Sequence, residues 1–480
     1  MVIVVPVVIM TAVAVLVFVQ LLDPSSPTGR LELIRTSLAV GAGTGAIMTL
    51  VLAWRRQWST EHDAAERRLT DLYVKAVEQL GSDKAPVRHG ALYALERVAQ
   101  DNPDHRQTVV NVLCAYLRAP YTPPPDPPVP RQTGLPAPSR GTPATRVAAT
   151  TAAARRTSLH PPTPPPTPED LRQEREVRLT AQRILSRHLH PGNRPRRPVH
   201  TFWPDIDLDL TDATLIDLDL SGCHIGTARF AGARFTGDAR FGEATFNGVA
   251  WFERATFTKL ARFVGARFTG AARFAEATFN GDARFIEATF NEITRFAGAR
   301  FTGDTRFDRA TFTETVGFNE VTFTGATMFN QARFTGDALF DEAKFTGILG
   351  FLEAKFTGDA RFGEATFSEA AWFDRATFTG DAWFNGTRFT GAARFAEATF
   401  TGDAWFRPSL TGGVEWPVAR FEQIAVMTGA KARRRQSTWL TGWTTADEFV
   451  VTNSEGNWFR LVPVPATLPS EGDDPTEAAE

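Results

Sequence analysis

Cysteine is almost missing from this chain. Cys114 and Cys223 are the two present in 480 residues, too few for a disulfide scaffold or a cysteine-built metal cluster, and they suit a reducing compartment. Grouped histidines are missing too: His62, His89, His105, His160, His188, His190, His200 and His224 are scattered, and none stands at metal-ligand spacing with a cysteine or carboxylate. His188 and His190 lie two apart, on different faces of a helix. There is no phosphate loop, dinucleotide fingerprint or nucleophile elbow, so no enzyme, cofactor or metal site is expected. An excess of one charge sign is also lacking, the formal net charge being −2 at pH 7, and no nucleic-acid partner is expected. Proline, with 31 copies in all, does not occur between Pro204 and Pro408. Continuous backbone pairing through that stretch demands its absence.

What fills the stretch is phenylalanine. From Phe230 to Phe406 it returns at alternating steps of five and six residues, and 33 of the 38 phenylalanines lie there. Residues 234–246, RFTGDARFGEATF, show the unit: two Ala-x-Phe triplets, Ala239/Phe241 and Ala244/Phe246, make an 11-residue period, and the span 406 − 230 = 176 holds 16 of them. An α-helix does not accommodate the pattern, because at about 100° per residue two phenylalanines five apart fall about 140° from each other. In an extended chain residues i and i−2 share a side. Each triplet therefore reads as a short strand with Ala and Phe facing inward, and the intervening Thr-Gly-Asp or Gly-Glu as corners.

Strand and corner, repeated, wind the chain into a solenoid whose coils hydrogen-bond above and below. Four faces of 5, 6, 5 and 6 residues give a 22-residue coil, and like residues do return at 22: Asp337, Asp359, Asp381 and Asp403 alternate with Ile348, Ala370 and Ala392. Eight such coils at about 4.8 Å each make a rod about 38 Å long. Phe241, Phe263 and Phe285, and likewise Phe246, Phe268 and Phe290, are expected to stack in columns inside it, with Ala239 and Ala244 in an adjoining small-residue layer. Cys223 takes an inward i−2 place and reads as a buried structural thiol.

Triplets such as Ala213-Thr214-Leu215, Ala228-Arg229-Phe230 and Ala233-Arg234-Phe235 resemble the pentapeptide-repeat family, which puts a small residue at i−2 and Leu or Phe at i. The lead-in keeps that family's five-residue register at Leu210, Leu215, Leu220, Ile225, Phe230 and Phe235, and from Phe241 a sixth residue enters at every second step. The resemblance, to an 11-residue double-repeat variant of membrane-anchored bacterial type, covers about residues 205–407. It implies an all-β, right-handed quadrilateral β-helix and no common catalytic activity.

The remaining segments are read in order. Residues 2–22 hold no charge over 21 positions and Ser37 to Trp54 are 18 more, each long enough for a bilayer at about 1.5 Å per residue. Residues 1–56 are therefore expected to form a two-helix membrane hairpin, with Gly41 and Gly45 allowing close approach. Arg55, Arg56, Arg67 and Arg68 after the second span, against Arg30 and Arg35 in the connection, put everything beyond in the cytoplasm. Residues 57–119 form a small α-helical domain: a helix capped at Ser59 and running to about Leu80, then Ala85 to Gln100 and Pro103 to Leu117, the latter pair resembling a HEAT-like unit. It serves either interaction or spacing. Residues 120–167 are a proline-rich linker, with 16 prolines in the 49 residues from Pro120 to Pro168. Residues 168–204 supply a helix capped at Thr167 and a plug, Phe202-Trp203-Pro204, for the open first coil. After the solenoid at 205–407, residues 408–466 read as a capping β segment, two strands about a turn at Asn453 to Asn457, and 467–480 as an acidic disordered tail.

With the rod's interior filled, only outward side chains are left to act. Arg240, Arg262, Arg284 and Arg306 fall 22 apart as a cationic ladder, with Glu243, Asp282, Glu287 and Asp304 expected to interleave. Trp372, Trp383 and Trp405 occupy the outward place near the far end and form the candidate contact patch. Some members of the family resemble duplex DNA and bind type II topoisomerases, which takes an acidic surface. Here residues 230–406 hold 19 Lys+Arg and 22 Asp+Glu, a net of 19 − 22 = −3. The expected function is a non-enzymatic scaffold, multi-pass in the cell membrane, that offers a rigid β-helix in the cytoplasm to a protein partner or a second copy; the DNA mimic is the alternative.

Overall fold

An inward Phe at every fifth or sixth residue leaves each strand room for only two or three residues, and the structure is built from such strands. The computed structural model describes residues 27–123, 167–194 and 197–406, short stretches of strand between 420 and 463, and a few residues between 12 and 20. The linker at 124–166 and the tail beyond 463 lie outside the described residues.

Every repeat strand pairs in parallel with the strands one coil away, Ala239 with Ala261 and Phe246 with Phe268 among them. Four ladders result, and the chain visits them in turn. The first runs from Leu208–Asp209 to Ala404–Trp405, the second from Thr214–Ile216 to Arg420–Phe421, the third from Ala239–Arg240 to Ala425–Val426, and the fourth from His224–Ile225 to Lys431–Arg433 and two further strands. Together they make a parallel β-solenoid of about nine turns over residues 208–405. Ala239, Phe241, Ala244, Phe246, Phe263, Phe268, Phe285 and Phe290 are all fully buried. Phe241 and Phe263 stack with centroids 4.8 Å apart and planes within 6°, the same spacing as the strands that carry them. Neighbouring columns meet edge to face, as Phe252 does Phe263 at 5.6 Å and 89°, so each ring has both favoured aromatic geometries at once. The inward small place is Ala in most coils, but Thr294, Thr305, Val316, Val321, Thr327, Leu349 and Thr387 also fill it and are buried.

Two kinds of corner explain the alternation of five and six. The five-residue step is a turn closed by a hydrogen bond such as Ala244 N–H to Phe241 O, 3.2 Å, with its third residue at positive φ: Glu243 at 57°, Arg254 at 55°, Glu276 at 58°. That is a type II pattern, which favours glycine; for other residues it costs about 1–2 kcal/mol. Glu and Arg are held there because their own N–H groups bond to the next coil, Glu243 to Val264 O and Arg254 to Ala275 O, at 2.8 and 2.9 Å. The six-residue step is Thr-Gly-Asp or a relative. Its Thr hydroxyl donates to a carbonyl one coil back (Thr258 to Phe235 O, 3.0 Å), and its Asp accepts the N–H of its successor (Asp381 to Asp359, 3.0 Å). Its glycine is required by proximity: a Cβ on Gly325 would sit 2.6 Å from the backbone of Gly303.

The open first coil is closed by helices. The helices α2 (Ala85–Asp101), α3 (Arg106–Arg118) and α4 (Pro168–Leu189) pack by Leu92, Leu95, Val110, Leu113, Val177 and Leu185, all buried. Thr167 and Asp170 form a capping box at the start of α4. Two glutamine side chains stand in for a missing strand. Gln182 donates to Ile216 O at 2.7 Å and accepts from Ile216 N–H at 2.9 Å. Gln107 does the same with both backbone groups of Asp207, each at 2.9 Å. Trp203 is buried, stacked on His188 at 3.8 Å.

At the other end the Phe period breaks after Phe406, yet the ladders continue. Arg388 pairs with Arg420 and Thr399 with Lys431, 420 − 388 = 32 residues on rather than 22. The strands Trp443–Asn453 and Gly456–Pro463 then pair antiparallel and extend the fourth ladder.

The amino-terminal expectation needs correcting. A single helix, α1 (Pro27–Leu80), replaces the separate span and the helix starting at Ser59; it passes through Arg55 and Arg56 without interruption. No helix of the described residues is long and apolar enough to cross a membrane, so the two-span hairpin is not seen. Most of 2–22 lies outside the described residues. α1 carries charges at both ends of its apolar stretch, and continued helix rather than a turn follows them. The third helix also begins later than expected, since Pro103–His105 is a 3₁₀ turn.

Two stability measurements test these assignments. In thermal unfolding of the full chain, Gly325→Ala is expected to cost about 1–3 kcal/mol through the backbone clash, whereas Glu342→Gly, at a positive-φ corner, should be neutral or stabilising by up to about 1 kcal/mol; equal effects would discard the distinction between the corners. Gln182→Ala strips partners from both backbone groups of Ile216, and a loss of about 1–3 kcal/mol per stranded group is expected.

Candidate interaction surface

Because Ala and Phe of each triplet point inward, the residue between them faces out, and the ladders arrange these residues in columns one strand spacing apart. On the third ladder the column reads Arg240, Arg262, Arg284, Arg306, Met328, Gly350, Trp372, Arg394. Arg240 pairs with Asp238 at 2.9 Å, Arg284 with Asp282 at 3.3 Å and Arg306 with Asp308 at 2.7 Å. Only Asp282 serves as expected: Glu287 is taken by Arg309 at 2.7 Å, and Asp304 accepts the Ala326 N–H at 3.0 Å. The two pairs exposed on both sides, Arg240 with Asp238 and Arg284 with Asp282, contribute about 0–1 kcal/mol each, whereas Arg306 meets a buried Asp308. Arg262 has no ion pair among the described residues.

The candidate tryptophan patch divides between two faces. Trp383 and Trp405 sit in register on the first ladder, stacked with centroids 5.4 Å apart. Trp405 is only 9 % exposed, and the indole N–H groups of both are buried with no acceptor among the described residues. Trp372 belongs to the third ladder, in register with Gly350, because one 11-residue step carries the chain halfway round a coil. Further down the first ladder Trp251 lies between two guanidinium groups, 5.0 Å from Arg229 and 5.7 Å from Arg273, an arrangement of cation–π type.

A strip missed by the sequence reading lies on the third ladder. Where its outward column changes from arginine to Met328, Gly350 and Trp372, the adjoining corner positions are Ile348, 37 % exposed, and the partly buried Leu352. Met328 lies over Gly350, its Sδ within 2.8 Å of where a Cβ would stand. The signal was available: reading every 22nd residue from Arg240 shows the switch in polarity.

Few groups here have reactive character. Burial pushes the thiols of Cys114 and Cys223 up to about 12 from 9.0, and the Cys223 Sγ–H points to Ser186 O at 3.5 Å. Burial likewise raises Asp341, opposed by the Gly363 N–H that its carboxylate accepts. No group of three or more His, Cys, Asp or Glu among the described residues could hold a metal ion.

A thiol reagent at pH 8 is therefore expected to label neither cysteine in the folded chain and both after denaturation. The raised folded values mean that the stability these thiols contribute is intact below pH 9.0 and lost as pH rises towards about 12. Rapid labelling of the native protein would contradict the burial.

Comparison with known proteins places the solenoid. The family model described as pentapeptide repeats matches nine overlapping segments, the first at 207–245 and the last at 362–410. No curated protein and no solved structure matches the chain. Solenoids of this kind are generally structural or binding proteins and serve as interaction scaffolds. With its four parallel ladders, buried Ala and Phe columns and nine matched segments, the region 207–410 belongs to the pentapeptide-repeat family.

Proposed function

We propose that the chain is a non-enzymatic scaffold whose solenoid docks a protein partner through the third ladder. The observation that carries this reading is the apolar strip of Met328, Ile348, Leu352 and Trp372 set into an otherwise charged column. Apolar side chains grouped on the solvent side of a repeat array mark contact surfaces. The strip is bordered by Arg306 on one side and Arg394 on the other, which favours a partner segment with an apolar anchor and acidic flanks. Rigidity supports the same role, because a partner meets side chains that are already ordered.

Trp405, 9 % exposed, contributes less to this reading, and Trp383, partly buried as Trp372 is, lies on the first ladder and away from the strip. The topoisomerase alternative lacks support from the surface: the outward columns of all four ladders include Arg or Lys, so none presents the continuous acidic face of a DNA mimic. A membrane location is a separate proposal that rests on the uncharged run 2–22; fractionation of the full chain should place it in the membrane pellet, and recovery in the soluble fraction would remove the tether.

The docking face is tested with a photo-crosslinking residue at position 372 or 383 of the full chain, in cells. Position 372 should capture one defined protein and lose it with Ile348→Asp, while position 383 captures little. Equal capture at both positions, or capture insensitive to Ile348→Asp, would reject the third-ladder face.

A further inference from the structure

The fourth ladder carries a feature that the docking strip does not use. Its outward column reads Thr311, Arg333, Lys355, Thr377, on successive strands in register. Arg333 and Lys355 are both exposed, directly adjacent, and make no ion pair among the described residues. Like charges at such a position destabilise a sheet. In the corner column beside them Arg375 pairs with one oxygen of Glu353 at 3.0 Å, and Gln331 donates to the other at 3.0 Å. Arg309 reaches away to Glu287 at 2.7 Å. Among the described residues Glu353 contacts Arg375 and Gln331 and makes no ion pair with Arg333 or Lys355. These residues line a surface groove of about 440 Å³ with four cationic side chains, Arg309, Arg333, Lys355 and Arg375, and one carboxylate.

We propose that this groove binds a phosphomonoester dianion, held between Arg333 and Lys355. Guanidinium and ammonium groups on adjacent strands flank a compact dianion from two sides, and Thr311 and Thr377, at either end of the pair, offer hydroxyl donors. The uncompensated charge spans only two coils. Glu287 and Glu397 stand further along the corner column, and Asp337 and Asp359 occupy the corner on the opposite side of the strands. This acidic border disfavours an extended polyanion and suits a single phosphoryl group. The site is independent of the third-ladder strip, so either can fail without the other.

Inorganic phosphate titrated into the full chain, followed by calorimetry and by thermal unfolding at constant ionic strength, tests the site. Phosphate should bind and raise the unfolding temperature, and chloride at matched ionic strength should not. Arg333→Gln with Lys355→Gln should weaken phosphate at least tenfold while leaving the phosphate-free unfolding temperature equal or higher, because the repulsion goes with the charges. Arg300→Gln with Lys344→Gln, on the second ladder, should leave binding unchanged. A phosphoserine peptide binding at least tenfold more tightly than inorganic phosphate identifies a modified partner as the source; equal affinity identifies a small phosphorylated compound. Unchanged affinity in the Arg333/Lys355 double variant, or an equal response to chloride, overturns the proposal.

Discussion

The structure depends on one coincidence of lengths. Hydrogen-bonded strands stand about 4.8 Å apart, and that is also a separation at which parallel aromatic rings attract. A phenylalanine repeated at every coil therefore satisfies backbone and side chain with a single spacing, as the 4.8 Å stacks of Phe263 on Phe285 and Phe268 on Phe290 show. No ligand or metal is needed to set the geometry. A coil alone would leave both faces of its rings uncovered, and a terminal coil one face, so the array holds as a cooperative whole whose ends need covering.

The ends reveal how that covering is done. At the first coil the side-chain amides of Gln107 and Gln182 offer a donor and an acceptor at the spacing of a peptide group, and they pair with Asp207 and Ile216 as a strand would. At the last coil, genuine strands perform the task after an insertion. Both solutions satisfy the exposed backbone groups of an edge, and both leave the four faces open to solvent along their length. The rod is thereby free to act through its sides.

Much of this was legible in the residues. The Phe period excluded a helix and indicated four faces, since side-chain direction in an extended chain follows directly from parity. The corners were not: Glu243 and Arg254 are poor candidates for positive φ by local preference, and only the hydrogen bonds from neighbouring coils hold them there. Trp372 was grouped with Trp383 because they share a repeat position, although 11 residues is half a coil and 22 a whole one. The basic groove escaped notice because Arg333 and Lys355 look ordinary in sequence; what marks them is that Glu353, a corner neighbour, already serves Gln331 and Arg375. Charge matching is a property of neighbours in space, and here neighbours are 22 residues apart.

The irregular inward residues carry a consequence for assembly. Sixteen nearly identical periods offer a growing chain many wrong alignments, each displaced by one whole coil and each almost as well packed as the right one. Thr294, Val316, Leu349 and Thr387 differ from alanine in volume or polarity, and all are enclosed in the interior. A displaced alignment would set Leu349 into a place shaped for alanine and leave a void where it belongs. These few substitutions act as addresses, telling otherwise interchangeable coils where in the stack they belong.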